Sequence, residues 1–241
     1  MQEEKTMKEE SAGEIYSSLQ SVWPENDRWY DYTHRAIQSF IYRELTDRLQ
    51  EKSVYLNAGS GGSSYDLPGV CFHVDIVEKL IASFPHHVVA SIEELPFQDN
   101  YFDCSICVGS VINYCDVVQS LSELSRTLKT NGYMVLEFER SNTGELWGTK
   151  EYGKGSTIQK YEYLGHTHTL WLYSERLISS LLKSNGFIIL DRKRFHCLSA
   201  IANRITKKEE PSGRFAHFDP LFSPISYFIA HNVILLCQKK L

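Results

Sequence analysis

A chain of 241 residues, 42% hydrophobic and 12% aromatic, has enough apolar material for one sizeable core and does not demand two. Its formal charge of -5 argues against a general nucleic-acid binder, which runs on excess Lys and Arg. The six cysteines, with no secretion signal, read as reduced, mostly core-filling thiols of a cytoplasmic protein.

The opening stretch MQEEKTMKEESAGE is charged, no apolar run follows it, and it reads as a frayed leader rather than a signal peptide. Residues 33–50 then set Ile37, Phe40, Ile41, Leu45 and Leu49 at helical spacing, with Thr33 as the expected N-cap. Residues 1–50 thus form a leader and helical cover, and 51–241 the main domain. Apolar runs of strand length lie at 53–58, 70–75, 87–90, 102–109 and 132–139, with helical stretches IVEKLIASF and DVVQSLSELSRTLK between several of them. That alternation predicts an α/β fold, a parallel doubly wound sheet with helices on both faces.

Beyond Glu139 the pattern changes. Residues 140–165 carry five glycines among polar and aromatic residues and read as an inserted loop or hairpin. The helix SERLISSLLKSNG follows, with Ser174 as N-cap and Gly186 as stop. FIILDRKRF and HNVILLCQKK complete a seven-stranded sheet, with an irregular insertion at about 197–229 between them. Insertions of this length read as lids. ISYFIAHNVILLC is too short to span a bilayer and is broken by His231 and Asn232. Cys104 and Cys107 make a C-x-x-C inside a strand, with no second pair at zinc spacing, so no metal is expected. Between Lys183 and Arg214 eight basic residues face three acidic ones, a local basic surface or simply a solvated face.

The barest backbone is NAGSGGSS at 57–64, delivered by the first strand to the carboxyl edge of the sheet, where doubly wound folds bind ligands. Glycines there admit positive φ and close approach of a ligand. A dinucleotide fingerprint would want glycine at position 64, which is Ser64, so the spacing suits an S-adenosylmethionine loop better; a tight structural turn is the alternative. Asp75 closes the second strand, where a carboxylate can accept two hydrogen bonds from a ribose diol.

YLNAGSGG, then LPG and VDI, EELPFQDNYFD, and the SELSRTLKTNGYMVLEFE helix and strand together resemble the class I S-adenosylmethionine-dependent methyltransferases, in the L-N-x-G-x-G variant of the methyltransferase type 11-like members. The resemblance covers residues 53–140 well and 170–195 loosely. It implies a Rossmann-like sheet, mostly parallel with an antiparallel last strand, and S-adenosyl-L-methionine as cofactor. By position it implies that Gly59, Ser60 and Gly61 line the methionine part of the cofactor. Asp75 would hold the ribose, Ile92 and Glu93 flank the adenine, and Gly109 and Ser110 lie beside the methyl. Tyr32 and Arg35, in WYDYTHR, would reach the methionine end. The chain departs from the pattern at Asn57, where an acidic residue is usual, at Ser63 and at Ser91.

GSVINY replaces the N-P-P-Y or D-P-P-Y motif of amino-methylating nucleic-acid and protein enzymes, which favours a small-molecule acceptor methylated on oxygen or nitrogen. His166 and His168 alternate in GHTHTLWLYS and so share a strand face, which suits general-base work; Glu139 is the other candidate base. Tyr114 is expected to wall the acceptor pocket. Two rival readings stay open: a nucleic-acid or protein methyltransferase docking through 183–214, and a non-catalytic partner-binding subunit. The protein is expected as a monomer or homodimer with no membrane span.

Overall fold

The computed structural model describes residue 13 and residues 26–163 and 166–240, the side chains of 162, 163 and 166–168 excepted. The expected leader lies outside these residues.

Helix α1 (Arg28–Leu45) begins five residues before its expected start. Its cap is Asp27, whose Oδ1 accepts from the backbone N–H of Trp29 (2.9 Å) and Tyr30 (3.3 Å). Thr33 sits inside the helix, where its hydroxyl donates to the Trp29 carbonyl, the back-bonding available to a mid-helix threonine.

Five strands follow, β1 (Val54–Ala58), β2 (Val70–Asp75), β3 (His87–Val89), β4 (Phe102–Cys107) and β5 (Leu128–Glu139), joined by the short α2 (Glu78–Ile81) and by α3 (Val117–Thr127). A hairpin of β6 (Ser156–Tyr163) and β7 (His166–Tyr173) forms its own ribbon. Then come α4 (Glu175–Ser184), capped by the Ser174 hydroxyl, β8 (Phe187–Phe195) and β9 (Asn232–Lys239). The seven-stranded sheet runs β3-β2-β1-β4-β5-β9-β8, with β9 antiparallel to both neighbours. Strand order reverses at β1/β4, so the glycine loop leaves the sheet at the switch point.

Period-two alternation divides the core. Leu56, Leu136 and Leu235 pack with α3 and α4 on one face, while Tyr55, Val135 and Ile234 pack under Ile37, Phe40 and Ile41 of α1 on the other. Cys104 and Cys107, three apart on β4, fall on opposite faces and cannot converge on one ion.

The segment after β8, expected to be irregular, is helical: α5 (Cys197–Thr206), α6 (Glu209–Gly213), a 3-10 stretch (Ala216–Ile225) and α7 (Ser226–Ile229). It is pinned to α1, where Trp29 stacks on His196 at 3.9 Å and the Thr33 hydroxyl meets Nε2 of His196 at 2.8 Å. Buried Arg140 donates to the carbonyls of Ser226, Tyr227 and Ala230 and holds α7 from beneath.

Candidate active site

A cleft lies above the carboxyl edge of the sheet, running from the glycine loop at one end to Glu139, Tyr161 and Glu209 at the other. One end is built by the glycine loop. Gly59 (φ +67°), Gly61 (+54°) and Gly62 (+80°) all turn through the left-handed region. A Cβ at Gly59 would stand 2.5 Å from both methyls of Val111, so only glycine fits beside that side chain.

The loop is fastened from below. Ser60 donates its N–H to the Val74 carbonyl (2.9 Å), and its hydroxyl lies 2.9 Å from Nδ1 of His73, itself stacked on Phe84. Burial pushes the His73 pKa down to about 4, so a neutral ring makes this contact. Asn57 donates to the Ser63 carbonyl (2.8 Å), so amide and loop backbone meet where an acidic residue was the familiar pattern.

Asp75 Oδ2 accepts from Gly61 N–H (2.7 Å) and Oδ1 from Val77 N–H (2.9 Å). Each oxygen keeps a lone pair for a further donor. Burial raises its pKa while these amides oppose the rise. Ile76, Leu80, Ala90 and Ile92 form an apolar slot beyond it, with Ser91 alongside. Across the cleft, Gly109 and Ser110 point their N–H groups away from any ligand. Both donate to Oε2 of Glu137 (2.9 and 2.8 Å), whose Oε1 accepts from Asn232 (2.7 Å). Burial lifts the Glu137 pKa to about 7.

At the other end Glu139 closes β5 and joins Trp29, Tyr30, Thr33, Tyr114, Tyr161, Leu170 and Glu209 around the cleft. Behind it His231 bridges two carboxylates, Nε2 at 3.2 Å from Glu139 Oε2 and Nδ1 at 3.3 Å from Glu145 Oε1. Burial alone would lower the His231 pKa, but the charges of Glu145 and Glu139 outweigh it and hold the ring as a cation. Glu145 is buried too, yet His231, Asn203 and Tyr161 keep its pKa low. Glu209 differs. Burial and the repulsion of Glu139 and Glu145 push it to about 8, so it enters the cleft as a neutral acid, accepting from the Tyr30 hydroxyl at 2.9 Å.

Residues 56–136 match the family model described as the methyltransferase domain. The chain is 34% identical over 152 residues to the 2-phytyl-1,4-naphtoquinone methyltransferase of Trichormus variabilis, covering 55% of this chain and 66% of that one. It is 45% identical over 56 residues to a ubiquinone/menaquinone biosynthesis C-methyltransferase of Vibrio cholerae, covering 23% and 22%. The matches therefore span at most about two thirds of these relatives' length. The 1,6-didemethyltoxoflavin-N1-methyltransferase of Burkholderia thailandensis has the same fold, at TM-score 0.62 and 14% identity over 99% of this chain and 90% of that one. This chain belongs to the class I S-adenosylmethionine-dependent methyltransferases.

The residues of this methyltransferase fit its cofactor: a glycine cradle that a Cβ would fill, a ribose-height carboxylate with free lone pairs and an apolar adenine slot. Asn57, Gly59, Ser60, Gly61, Asp75, Ile92, Gly109, Ser110, Tyr114 and Glu139 all line the cleft. Glu93 does not. Its Oε1 accepts from Asp116 N–H (2.5 Å) at the start of α3, and at this end the cleft is lined instead by Ser91 and Ile92. Tyr32 and Arg35 also stand off the cleft. Tyr32 packs on Phe195 and His196, and Arg35 is exposed and paired with Asp31. The reason is angular: a helix starting at residue 28 turns positions 29, 30 and 33 toward the cleft and carries 32 and 35 around its flank. The backbone of His166 and His168 belongs to β7, where His168 pairs with Tyr161, but their side chains lie outside the described residues. His231, Glu145 and Glu209 were not singled out as candidates. The His231-Asn232 pair interrupting an apolar strand was their one visible trace.

Proposed function

We propose that this methyltransferase methylates a small hydroxylated ring, at the carbon beside the hydroxyl, with Glu139 as the base. The observation that carries the reading is the Glu139 carboxylate facing the cleft while the His231 cation backs it. When bound, S-adenosylmethionine supplies an activated methyl on a sulfonium. The chain's task is then alignment and proton removal. Asp75 and the glycine loop fix the donor end, and Trp29, Tyr114, Tyr161 and Leu170 give a flat acceptor its aromatic and apolar walls. Glu139 would take the hydroxyl proton and so direct the ring carbon to the methyl as the carbon–sulfur bond breaks. The proton displaced from that carbon would pass to water as the ring regains aromaticity, and the ring oxygen would take its own proton back from Glu139. Neutral Glu209 donates to a second ring oxygen.

Oxygen or nitrogen was the expectation from sequence. Carbon is preferred here because relatives named for quinones include one named a C-methyltransferase. Oxygen methylation would use the same base. The test offers the purified protein a naphthoquinol with isotopically labelled S-adenosylmethionine and assigns the new methyl by NMR. A carbon-bound methyl is expected, and its loss in Glu139→Gln. An oxygen-bound methyl would move the bond but keep the base. Full activity in Glu139→Gln would return the role to His168 or His166, and transfer only to amines would overturn the reading.

A further inference from the structure

The insertion between β8 and β9 presents two features that the methyl-transfer site does not use. Phe218, Leu221, Ile225 and Phe228 recur at intervals of three, four and three along the 3-10 stretch and α7, and all four are exposed, Leu221 at 75% and Phe228 at 56%. Ile205, at the end of α5, is 79% exposed, and Tyr227 adds a half-exposed ring. Phe222 and Ile229 turn inward, Phe222 packing on the cluster of Cys197, Ile229 and Ala230. A small soluble surface seldom strings so many large apolar groups together without a use.

The second feature is charge. In a protein of net charge -5, four cations of 204–228 are exposed, Arg204, Lys207, Lys208 and Arg214. None has a carboxylate partner among the described residues. The acids of the same segment are engaged elsewhere: Glu209 faces the cleft, Asp219 is buried and accepts from His196 and Cys197 N–H, and Glu210, its side chain exposed, pairs with Arg28 at 3.2 Å. Projecting apolar tips among unpaired cations are the composition of a helix that lies in a lipid interface.

We infer that the exposed face of residues 204–228 docks on an anionic phospholipid surface, inserting Leu221, Ile225 and Phe228 among the acyl chains while Lys207, Lys208, Arg204 and Arg214 meet the headgroups. Among the described residues no helix is long and apolar enough to cross a membrane, so this attachment is peripheral. The inference stands apart from the acceptor proposed above. It has a consequence for access all the same, because the α6 that follows these lysines is the element that puts Glu209 into the cleft wall.

Sedimentation with vesicles tests it, using equal parts phosphatidylglycerol and phosphatidylcholine against phosphatidylcholine alone. The full chain should bind the mixed vesicles, bind the neutral ones far less, and be released by salt. Leu221→Asp with Phe228→Asp, and separately Lys207→Glu with Lys208→Glu, should each weaken binding about tenfold or more. Both double variants change only exposed side chains and should keep wild-type affinity for S-adenosylhomocysteine, which reports an intact fold. Failure to bind the mixed vesicles overturns the inference, as does binding that neither variant alters. Variants that split a dimer while leaving vesicle binding unchanged would assign the face to a second copy of the chain.

Discussion

Glu139 Oε2 lies 3.2 Å from Nε2 of His231, whose other nitrogen lies 3.3 Å from Glu145, so the carboxylate in the cleft is held in place by a cation that is itself held from behind. Removing either member of the pair has a distinct signature. Glu139→Gln should lower kcat by about 10²–10⁴-fold, the usual range for a general base, with S-adenosylhomocysteine affinity nearly unchanged. Single-turnover kinetics and calorimetry on the same preparation separate the two effects.

His231→Gln should destabilise the protein by about 3–5 kcal/mol at neutral pH, because it leaves two buried carboxylates without their counter-ion. The pH dependence has a fixed sign. The folded pKa of His231 is raised, so its contribution is fully present below the unfolded value of about 6.5 and is lost as pH rises through the folded one. Denaturant titrations should show the gap between wild type and variant narrowing toward alkaline pH. A gap that widens would mean the ring is neutral in the fold.

Glu209→Gln should go the other way. The Glu209 pKa is raised to about 8, so the folded state holds a proton that the unfolded carboxyl gives up above about 4.3, and wild-type stability falls between those two values. Glutamine keeps the shape and has nothing to ionise. The variant should equal wild type in mild acid and exceed it at pH 7; thermal unfolding across that interval reads the difference directly, and a variant less stable than wild type at pH 7 refutes the assignment.

Asp75→Ala should weaken S-adenosylhomocysteine binding by about 1.5–3 kcal/mol, the worth of hydrogen bonds to a charged group. It also strips the acceptor from Gly61 and Val77 N–H, so a loss of stability accompanies the loss of affinity. Unchanged affinity by calorimetry would move the ribose elsewhere.

Gly59→Ala meets Val111 at 2.5 Å in a left-handed conformation and should cost about 1–3 kcal/mol of stability. Part of that cost is steric and part is backbone strain. Val111→Ala in the same chain should recover the steric part only, so a double-mutant cycle should show positive coupling with incomplete rescue.

What could be read from sequence was what local chemistry writes locally. Strands β2 and β8 agree with their expected ranges to the residue, since 70–75 is an apolar run bounded by turn residues and 187–195 starts directly after Gly186, and Ser174 and Gly186 mark α4 because caps are short-range devices. The glycine loop and Asp75 were legible for the same reason. At the opposite end of the cleft only Glu139 and Tyr114 were. Glu139, Glu145, Glu209 and His231 come from β5, the loop after it, α6 and the threshold of β9, and only tertiary packing makes them one charge network. Thr33 was expected as the cap because the apolar spacing begins at Ile37, whereas the cap is Asp27. Trp29, the residue that decides where α1 starts, is committed to a stack with His196, a partner 167 positions further on.

That last distance matters at the ribosome. One wall of the cleft is α1, and its side chains find their partners on His196, Glu209 and Glu210. Strand β9 must slot between β5 and the earlier-made β8 before the sheet is whole. An emerging polypeptide thus carries an unfinished ligand chamber until β9 has been synthesised. Such long-range closure is slow compared with forming helices and hairpins. Cofactor in the surrounding solution should capture a chain whose β9 is in place and do little for a shorter nascent one.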